Sequence, residues 1–130
     1  MKKPRILVVD DEEAILYAYK RLLGDPKMGM EVDTAKSLKE AKAYLKKHKY
    51  KVILTDLRLG IEDKFSGFQI TRLVKRIDKD ATVILVTAYG NFQVKKRAYE
   101  LGAEFYLEKP VSIHVLKNVL NSILNPTKEQ

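Results

Sequence analysis

Five side chains in this sequence have the types needed to hold a hard metal ion and accept a phosphoryl group: Asp10, Asp11, Asp56, Thr87 and Lys109. Each stands where a short apolar or β-branched run ends. Ile6-Leu7-Val8-Val9 leads into Asp10-Asp11, Val52-Ile53-Leu54-Thr55 into Asp56, Ile84-Leu85-Val86 into Thr87, and Phe105-Tyr106-Leu107 into Glu108-Lys109-Pro110. Carboxylates gathered in one place repel, and their pKa values rise unless a cation joins them. A divalent ion such as Mg2+ suits an all-oxygen site and keeps several waters. A carboxylate there can also attack phosphorus and form an aspartyl phosphate. The transferring group carries charge on its oxygens, which a metal, the Lys109 ammonium and the Thr87 hydroxyl would stabilise. Singly, each residue has a plainer reading, since an Asp after a strand usually caps a helix or shapes a turn. The set in this order carries the chemical reading.

The elements that must bring these residues together are legible from periodicity. Arg5–Val9 reads as a strand. From Ala14 the apolar positions take helical spacing, with Ala14, Ala18 and Leu22 on one line and Ile15, Tyr19 and Leu23 on the next, up to Gly24. Met30–Thr34 is the second strand. Ser37 with Glu40 three residues on predicts a capping box for a helix bearing Leu38, Ala41 and Leu45. Lys51–Thr55 is the third strand and Leu57–Phe65 a charged loop. Ser66 is the expected cap of a third helix that buries Ile70, Leu73, Val74 and Ile77. Ala81–Val86 is the fourth strand. Gly90-Asn91 opens a helix with Val94, Ala98 and Leu101, closed by Gly102. Glu104–Leu107 is a short fifth strand, and Pro110 and Ser112 introduce a last helix through Leu124, stopped by Asn125-Pro126. Strands alternating with helices predict an α/β fold with a parallel sheet covered on both faces, and near-continuous apolar strands agree. In such a sheet ligands sit outside the carboxyl ends of the strands, where all five candidate residues fall.

Composition narrows the function classes. The chain has 130 residues, 45% hydrophobic and 32% charged, enough for one compact core and read as one domain over 1–130. There is no cysteine, which excludes disulfides, thiolate metal sites and cysteine nucleophiles. No apolar run approaches the ~20 residues of a membrane span, and none resembles a signal peptide, so the expected location is cytoplasmic and no membrane partner is expected. The formal net charge is +8, which keeps acidic partners and nucleic acid in consideration. Lys36, Lys39, Lys42, Lys46, Lys47, Lys49 and Lys51 crowd the second helix and its exit. They read as a solvated face, or as a docking surface for an acidic partner. No aromatic platform interleaves them and no helix-turn-helix segment is left over, so direct sequence-specific nucleic acid binding by this chain is not expected. Lys95-Lys96-Arg97 lies on the fourth helix, where a partner role is more plausible.

In Ile6-Leu7-Val8-Val9-Asp10-Asp11-Glu12, Leu54-Thr55-Asp56-Leu57-Arg58, Val86-Thr87-Ala88-Tyr89-Gly90 and Gly102-Ala103-Glu104-Phe105-Tyr106-Leu107-Glu108-Lys109-Pro110, the chain resembles bacterial response-regulator receiver domains, the CheY-like family. The resemblance spans residues 4 to 124, leaving 125–130 as a polar tail. It implies a flavodoxin-like (βα)5 doubly wound fold with strand order 2-1-3-4-5. It implies Asp56 as phosphoacceptor, Mg2+ held by Asp10, Asp11, Asp56 and the backbone carbonyl of Arg58, and Lys109 on the phosphoryl oxygens. A cis Lys109-Pro110 bond would aim that lysine. Thr87 and Tyr106 would form the switch that biases a surface of the fourth helix, fifth strand and fifth helix, and Arg58 and Tyr89 would tune phosphorylation and hydrolysis rates. The implied partners are a sensor histidine kinase or phosphotransfer protein and a downstream target protein or output domain, with a phosphorylation-dependent homodimer as a further expectation. The chain would be a signalling switch that takes part in its own phosphoryl transfer and slow autodephosphorylation, rather than an enzyme acting on a separate substrate.

The sequence departs from that pattern in one loop. Leu59-Gly60 replaces the family's common Met-Pro pair. Gly67 follows Asp56 by eleven positions, so the loop Gly60 to Ser66 reads as about three residues longer. Glu62, Asp63 and Lys64 in it either gate the site and alter kinase docking or form a bland exposed loop. Other functions fit less well. A phosphorylation-independent interaction module with this fold would not need Asp11, Asp56, Thr87 and Lys109 together. A metabolic aspartyl-phosphate phosphatase would commonly carry a second Asp where Arg58 stands. A flavin site would need a phosphate-binding loop where Asp10-Asp11-Glu12-Glu13 would repel phosphate. His48 and His114 do not sit in the pattern of a phosphotransfer histidine.

Overall fold

A computed structural model describes residues 2–61 and 63–126. The elements follow one another as β1 (Arg5–Val9), α1 (Glu13–Leu23), a 3-10 turn (Pro26–Met28), β2 (Glu31–Ala35), α2 (Leu38–Lys47), β3 (Val52–Asp56), α3 (Ser66–Ile77), β4 (Thr82–Thr87), α4 (Phe92–Glu100), β5 (Phe105–Glu108) and α5 (Ile113–Leu124). The five strands form one sheet in the order β2-β1-β3-β4-β5, every pairing parallel. This is the doubly wound, flavodoxin-like arrangement expected from the sequence.

Strand residues alternate between the two faces, and both faces are buried, which is why the strands read as unbroken apolar runs. Leu7, Val9, Ile53, Val83 and Leu85 pack with Ala41, Leu45, Ile70, Val74 and Ala98 from α2, α3 and α4. Ile6, Val8, Leu54, Ile84 and Val86 pack with Leu16, Leu23, Leu116 and Leu120 from α1 and α5. With both faces covered, the free functional edges are the two rows of loops at the strand ends.

The helix starts follow the sequence at α4 and α5, follow it in part at α2 and differ from it at α3. Asn91 accepts from the Val94 N–H at 2.9 Å, and Ser112 accepts from the His114 and Val115 N–H groups. Ser37 caps α2 through the Glu40 N–H at 3.1 Å, but the Glu40 carboxylate accepts from the Lys36 N–H rather than from Ser37, so the reciprocal half of the box is displaced by one residue. Ser66 is not the cap of α3. Phe65 holds that position, and Ser66 is the first helical residue, fully buried. Gly67 permits this placement, because a side chain there would strike the backbone of Asp56 and Leu57. Ile77, expected on the buried face, is 54% exposed. It rims a cleft of about 410 Å³ between the ends of α2 and α3, where no side chain fills the space against it. Glu62 and the tail residues 127–130 lie outside the described residues.

Candidate active site

The carboxyl ends of β1, β3, β4 and β5 bring the five sequence-predicted side chains to one edge. Asp10 follows β1 and is held by its own N–H donating to the Ala35 carbonyl of β2's last residue. Asp56 is the last residue of β3, Thr87 the last of β4, and Lys109 follows β5 with its N–H donating to the Thr87 carbonyl. The Lys109-Pro110 bond is cis. Carboxylate oxygens of Asp10, Asp11 and Asp56 all lie within 4.8 Å of one another. Asp10 and Asp56 are buried, at 3% and 8% exposure, while Asp11 opens to solvent.

Lys109 ties the two buried carboxylates together. Its Nζ donates to Asp10 Oδ2 at 3.0 Å and to Asp56 Oδ2 at 2.8 Å. The remaining oxygens are steered by backbone, Asp10 Oδ1 accepting from the Glu12 N–H at 3.0 Å and Asp56 Oδ1 from the Arg58 N–H at 3.3 Å. Burial pushes the Asp56 carboxyl up and Asp10 adds repulsion; the hydrogen bond and charge of Lys109 pull it down without cancelling the rise. For Lys109 burial disfavours the ammonium, yet its bonds and charge contacts with Asp56 and Asp10 outweigh that and hold its pKa above the ordinary value.

Three carboxylates against one ammonium leave two formal negative charges over this edge. All the donors are hard oxygens, and one carboxylate faces water. That donor set fits a divalent cation of the Mg2+ kind, which binds through one or two carboxylates and keeps waters. The geometry therefore accommodates the metal and nucleophile roles predicted for Asp10, Asp11 and Asp56.

The residues expected to report on the site surround it. Thr87 is fully buried, and its hydroxyl oxygen accepts from the Tyr89 N–H at 2.9 Å. Arg58, whose backbone N–H bonds Asp56, lays its guanidinium over the Tyr89 ring, 4.3 Å from the centroid, and so joins the loops after β3 and β4. Tyr106 packs partly buried against the core, and its hydroxyl is enclosed beside the Glu108 carboxylate, which adds to burial in raising its pKa but does not meet it in good hydrogen-bond geometry. Gly90 makes this possible, since a Cβ there would overlap the Tyr106 hydroxyl. The lengthened loop leaves Ile61 and Phe65 exposed, and Phe65 stacks on Phe68 with centroids 5.7 Å apart.

Two features escaped the sequence reading. The stack between Arg58 and Tyr89, named together as rate-tuning residues, is a contact the sequence did not show. Tyr19, read only as an apolar helix position, borders the carboxylates and Lys109. Its signal was the phenol oxygen on an otherwise aliphatic stripe facing the sheet.

The family model of the response regulator receiver domain matches residues 6–121. Response regulator protein PilR of Pseudomonas aeruginosa is 29% identical over 133 residues, spanning 100% of this chain and 29% of that protein. The alginate biosynthesis transcriptional regulatory protein AlgB of the same organism is 37% identical over 111 residues, spanning 85% of this chain and 24% of that protein. The chain thus spans 24–29% of the length of these relatives. The non-phosphorylated HemR receiver domain from Leptospira biflexa superposes with a TM-score of 0.83 at 29% identity, over 98% of this chain and 99% of that one. Motifs, strand order and family match converge: this chain belongs to the receiver domains of two-component response regulators.

Proposed function

We propose that this chain takes a phosphoryl group onto Asp56 from the phosphohistidine of a sensor histidine kinase or phosphotransfer protein. The observation that carries this reading is the buried Asp56 carboxylate, raised in pKa, bridged by Lys109 and clustered with Asp10 and Asp11. A more basic carboxylate is a better nucleophile. An Asp56 oxygen forms the new bond to phosphorus, the phosphorus–nitrogen bond breaks, and its electron pair stays on the imidazole of the donor. Asp10, Asp11, Asp56 and the backbone carbonyl of Arg58 would hold a Mg2+ ion, which when bound would supply positive charge for the phosphoryl oxygens. Lys109, already on Asp56, moves its ammonium to a phosphoryl oxygen and so stabilises charge in transfer.

The switch follows from what is poised. Thr87 gives up the Tyr89 N–H and turns its hydroxyl to the phosphoryl oxygen. Tyr106, whose hydroxyl has no well-formed hydrogen bond to lose, repacks with it, and the surface of α4, β5 and α5 changes for a target protein or an output domain. Curated relatives named as transcriptional regulatory proteins support a transcriptional output. A phosphorylation-dependent homodimer through the same surface, and a cytoplasmic location, belong to this reading; among the described residues no helix is long and apolar enough to cross a membrane.

The test is intact mass after incubation with Mg2+ and acetyl phosphate, beside an Asp56→Asn variant. The wild type alone should gain one phosphoryl group, and a chelator should prevent it. If neither protein gains mass, with acetyl phosphate or with phosphorylated kinases, the chain is a phosphorylation-independent interaction module.

A further inference from the structure

At the edge of the sheet away from Asp56, the cleft of about 410 Å³ between the ends of α2 and α3 has apolar walls from Leu45, Ile53, Val74 and the exposed Ile77. It adjoins a broader trough of about 1030 Å³ at the starts of β1, β2 and β3. The two share the wall from Lys47 to Tyr50, together with Asp78. That wall is braced. Tyr50 is buried, its hydroxyl donates to Asp33 at 2.6 Å, and the His48 ring stands edge-on to it with centroids 6.2 Å apart. A surface already held in place loses little freedom when something binds to it.

Charge around this hollow is one-sided. Lys2, Lys3, Lys46, Lys47, Lys49 and Lys51 line it and are all exposed. Arg5 and Glu31 also line it, but they pair with each other. Six ammonium groups against the carboxylates of Asp78 and Asp80 leave four formal positive charges. The negative end of the α2 dipole accounts for Lys46 and Lys47 in its last turn. It does not account for Lys2, Lys3, Lys49 and Lys51, which lie outside the helices. An apolar cleft inside a cationic rim matches an acidic chain that carries a bulky apolar side chain. A nucleic acid matches it less well. Single strands bind by stacking bases on exposed rings, whereas here the Tyr50 ring is buried and His48 packs against it.

We propose that this edge is a docking surface for an acidic, extended segment of a partner protein, with one large apolar side chain of that segment seated against Leu45 and Ile77 and its carboxylates on the lysine rim. Lys51 precedes β3 and Asp56 ends it, a separation of about 16 Å at roughly 3.3 Å per strand residue. The segment therefore binds without covering Asp56, and the surface is independent of phosphoryl transfer.

The probe is a fluorescein-labelled peptide of alternating Glu and Ser with one central Leu, followed by fluorescence anisotropy on the full chain. Binding should weaken as salt rises. Replacing the Leu of the peptide by Ser should weaken it about ten-fold, the range for burying one such side chain. Ile77→Ser should erase that preference for Leu and keep the salt-dependent remainder. Lys3→Glu, Lys49→Glu and Lys51→Glu together should weaken binding about ten-fold or more, each removing an exposed charge contact and adding a repulsive one. These positions are all exposed, so the thermal midpoint should not move. No binding of the Leu peptide at low salt overturns the proposal, as does equal binding of the Leu and Ser peptides or a preference that survives Ile77→Ser. A DNA oligonucleotide that binds the same lysines more tightly than the Leu peptide also overturns it, and makes the edge a nucleic-acid surface.

Discussion

Two lysines tie segments together at opposite edges of the sheet, and their surroundings differ in kind. At the amino-terminal edge, Lys75 of α3 donates to Glu104 Oε2 and to the Ala81 carbonyl, both at 2.6 Å, and so ties α3 to the starts of β4 and β5. Nearby, Asp33 accepts from Arg5 at 3.0 Å and from the Tyr50 hydroxyl at 2.6 Å. These polar groups are matched. At the carboxyl-terminal edge, Lys109 faces more negative charge than it neutralises, and the Tyr106 hydroxyl is buried without a hydrogen bond of good geometry. Matched polar groups hold a fold together; unmatched ones held in place by it are available for chemistry and switching.

The largest effect should come from exchanging the two lysines for alanine. Lys109→Ala removes the one cation on the nucleophile, and phosphorylation by acetyl phosphate should slow by about a hundred-fold or more, as for other lost electrostatic donors. Lys75→Ala should leave that rate alone and lower stability by about 1–2 kcal/mol, read by urea unfolding. Equal effects of both on the rate would erase the distinction between the edges.

Two tyrosines sharpen the comparison by sign. Tyr50 donates to a carboxylate, and burial followed by that bond and the Asp33 charge raises its phenol pKa far up. Tyr50→Phe should cost about 1–2 kcal/mol. Tyr106→Phe deletes a hydroxyl that lies beside Glu108 without a hydrogen bond of good geometry, so the unphosphorylated protein should gain up to about 1 kcal/mol. Thermal midpoints moving in opposite directions are the expected outcome; a loss in both would mean that the Tyr106 hydroxyl is satisfied in solution.

The pH dependence of stability should also mark the site edge. Asp56 has a folded-state pKa above its ordinary value, so between the two values the folded chain binds the proton more tightly than the unfolded chain. Stability contributed by this group therefore rises as pH falls through the raised pKa and levels off below about 3.9. Measured against Asp56→Asn by urea unfolding from neutral pH downward, the wild type should gain ground. The exposed Glu13, whose pKa is lowered by its bond to Lys36, has the opposite slope: what it contributes is present above the ordinary carboxyl pKa and lost below it.

Much of the site was legible because strand ends are legible. An apolar run that stops at Asp, Thr or Lys gives both the element and the residue at its carboxyl end, and a doubly wound sheet gathers those ends. What was not legible depends on contacts between distant segments. Ser66 has the chemistry of a cap, but the close approach of Gly67 to Asp56 drew it into the helix. Ile77 has the spacing of a core residue, but a cleft opens where α2 has ended. The pairing of Lys109 with Asp10 spans 99 positions and was foreseen only as shared location. Tyr19 fits an apolar stripe, and only the folded chain shows that it borders Asp10, Asp56 and Lys109.

The smallest effect concerns the shielding of Asp56 from water. Arg58 and Tyr89 were expected to tune rates together, and their stacking, with the guanidinium 4.3 Å from the ring centroid, couples the two side chains. Tyr89 is 62% exposed, and an exposed cation–π pair contributes only about 0.5–1 kcal/mol. If the pair shields a phosphoryl group on Asp56, such a cover would open often and admit water through the open fraction. Arg58→Ala and Tyr89→Ala should each speed loss of the phosphoryl group from Asp56 by about two- to five-fold, the range of that energy. The double variant should be little faster than either, because the second truncation removes half of a pair already broken. Hydrolysis rates followed by intact mass after donor removal decide it. Multiplying effects would make the two side chains independent shields, and no effect would leave the stack as surface packing above a site closed to water by other means.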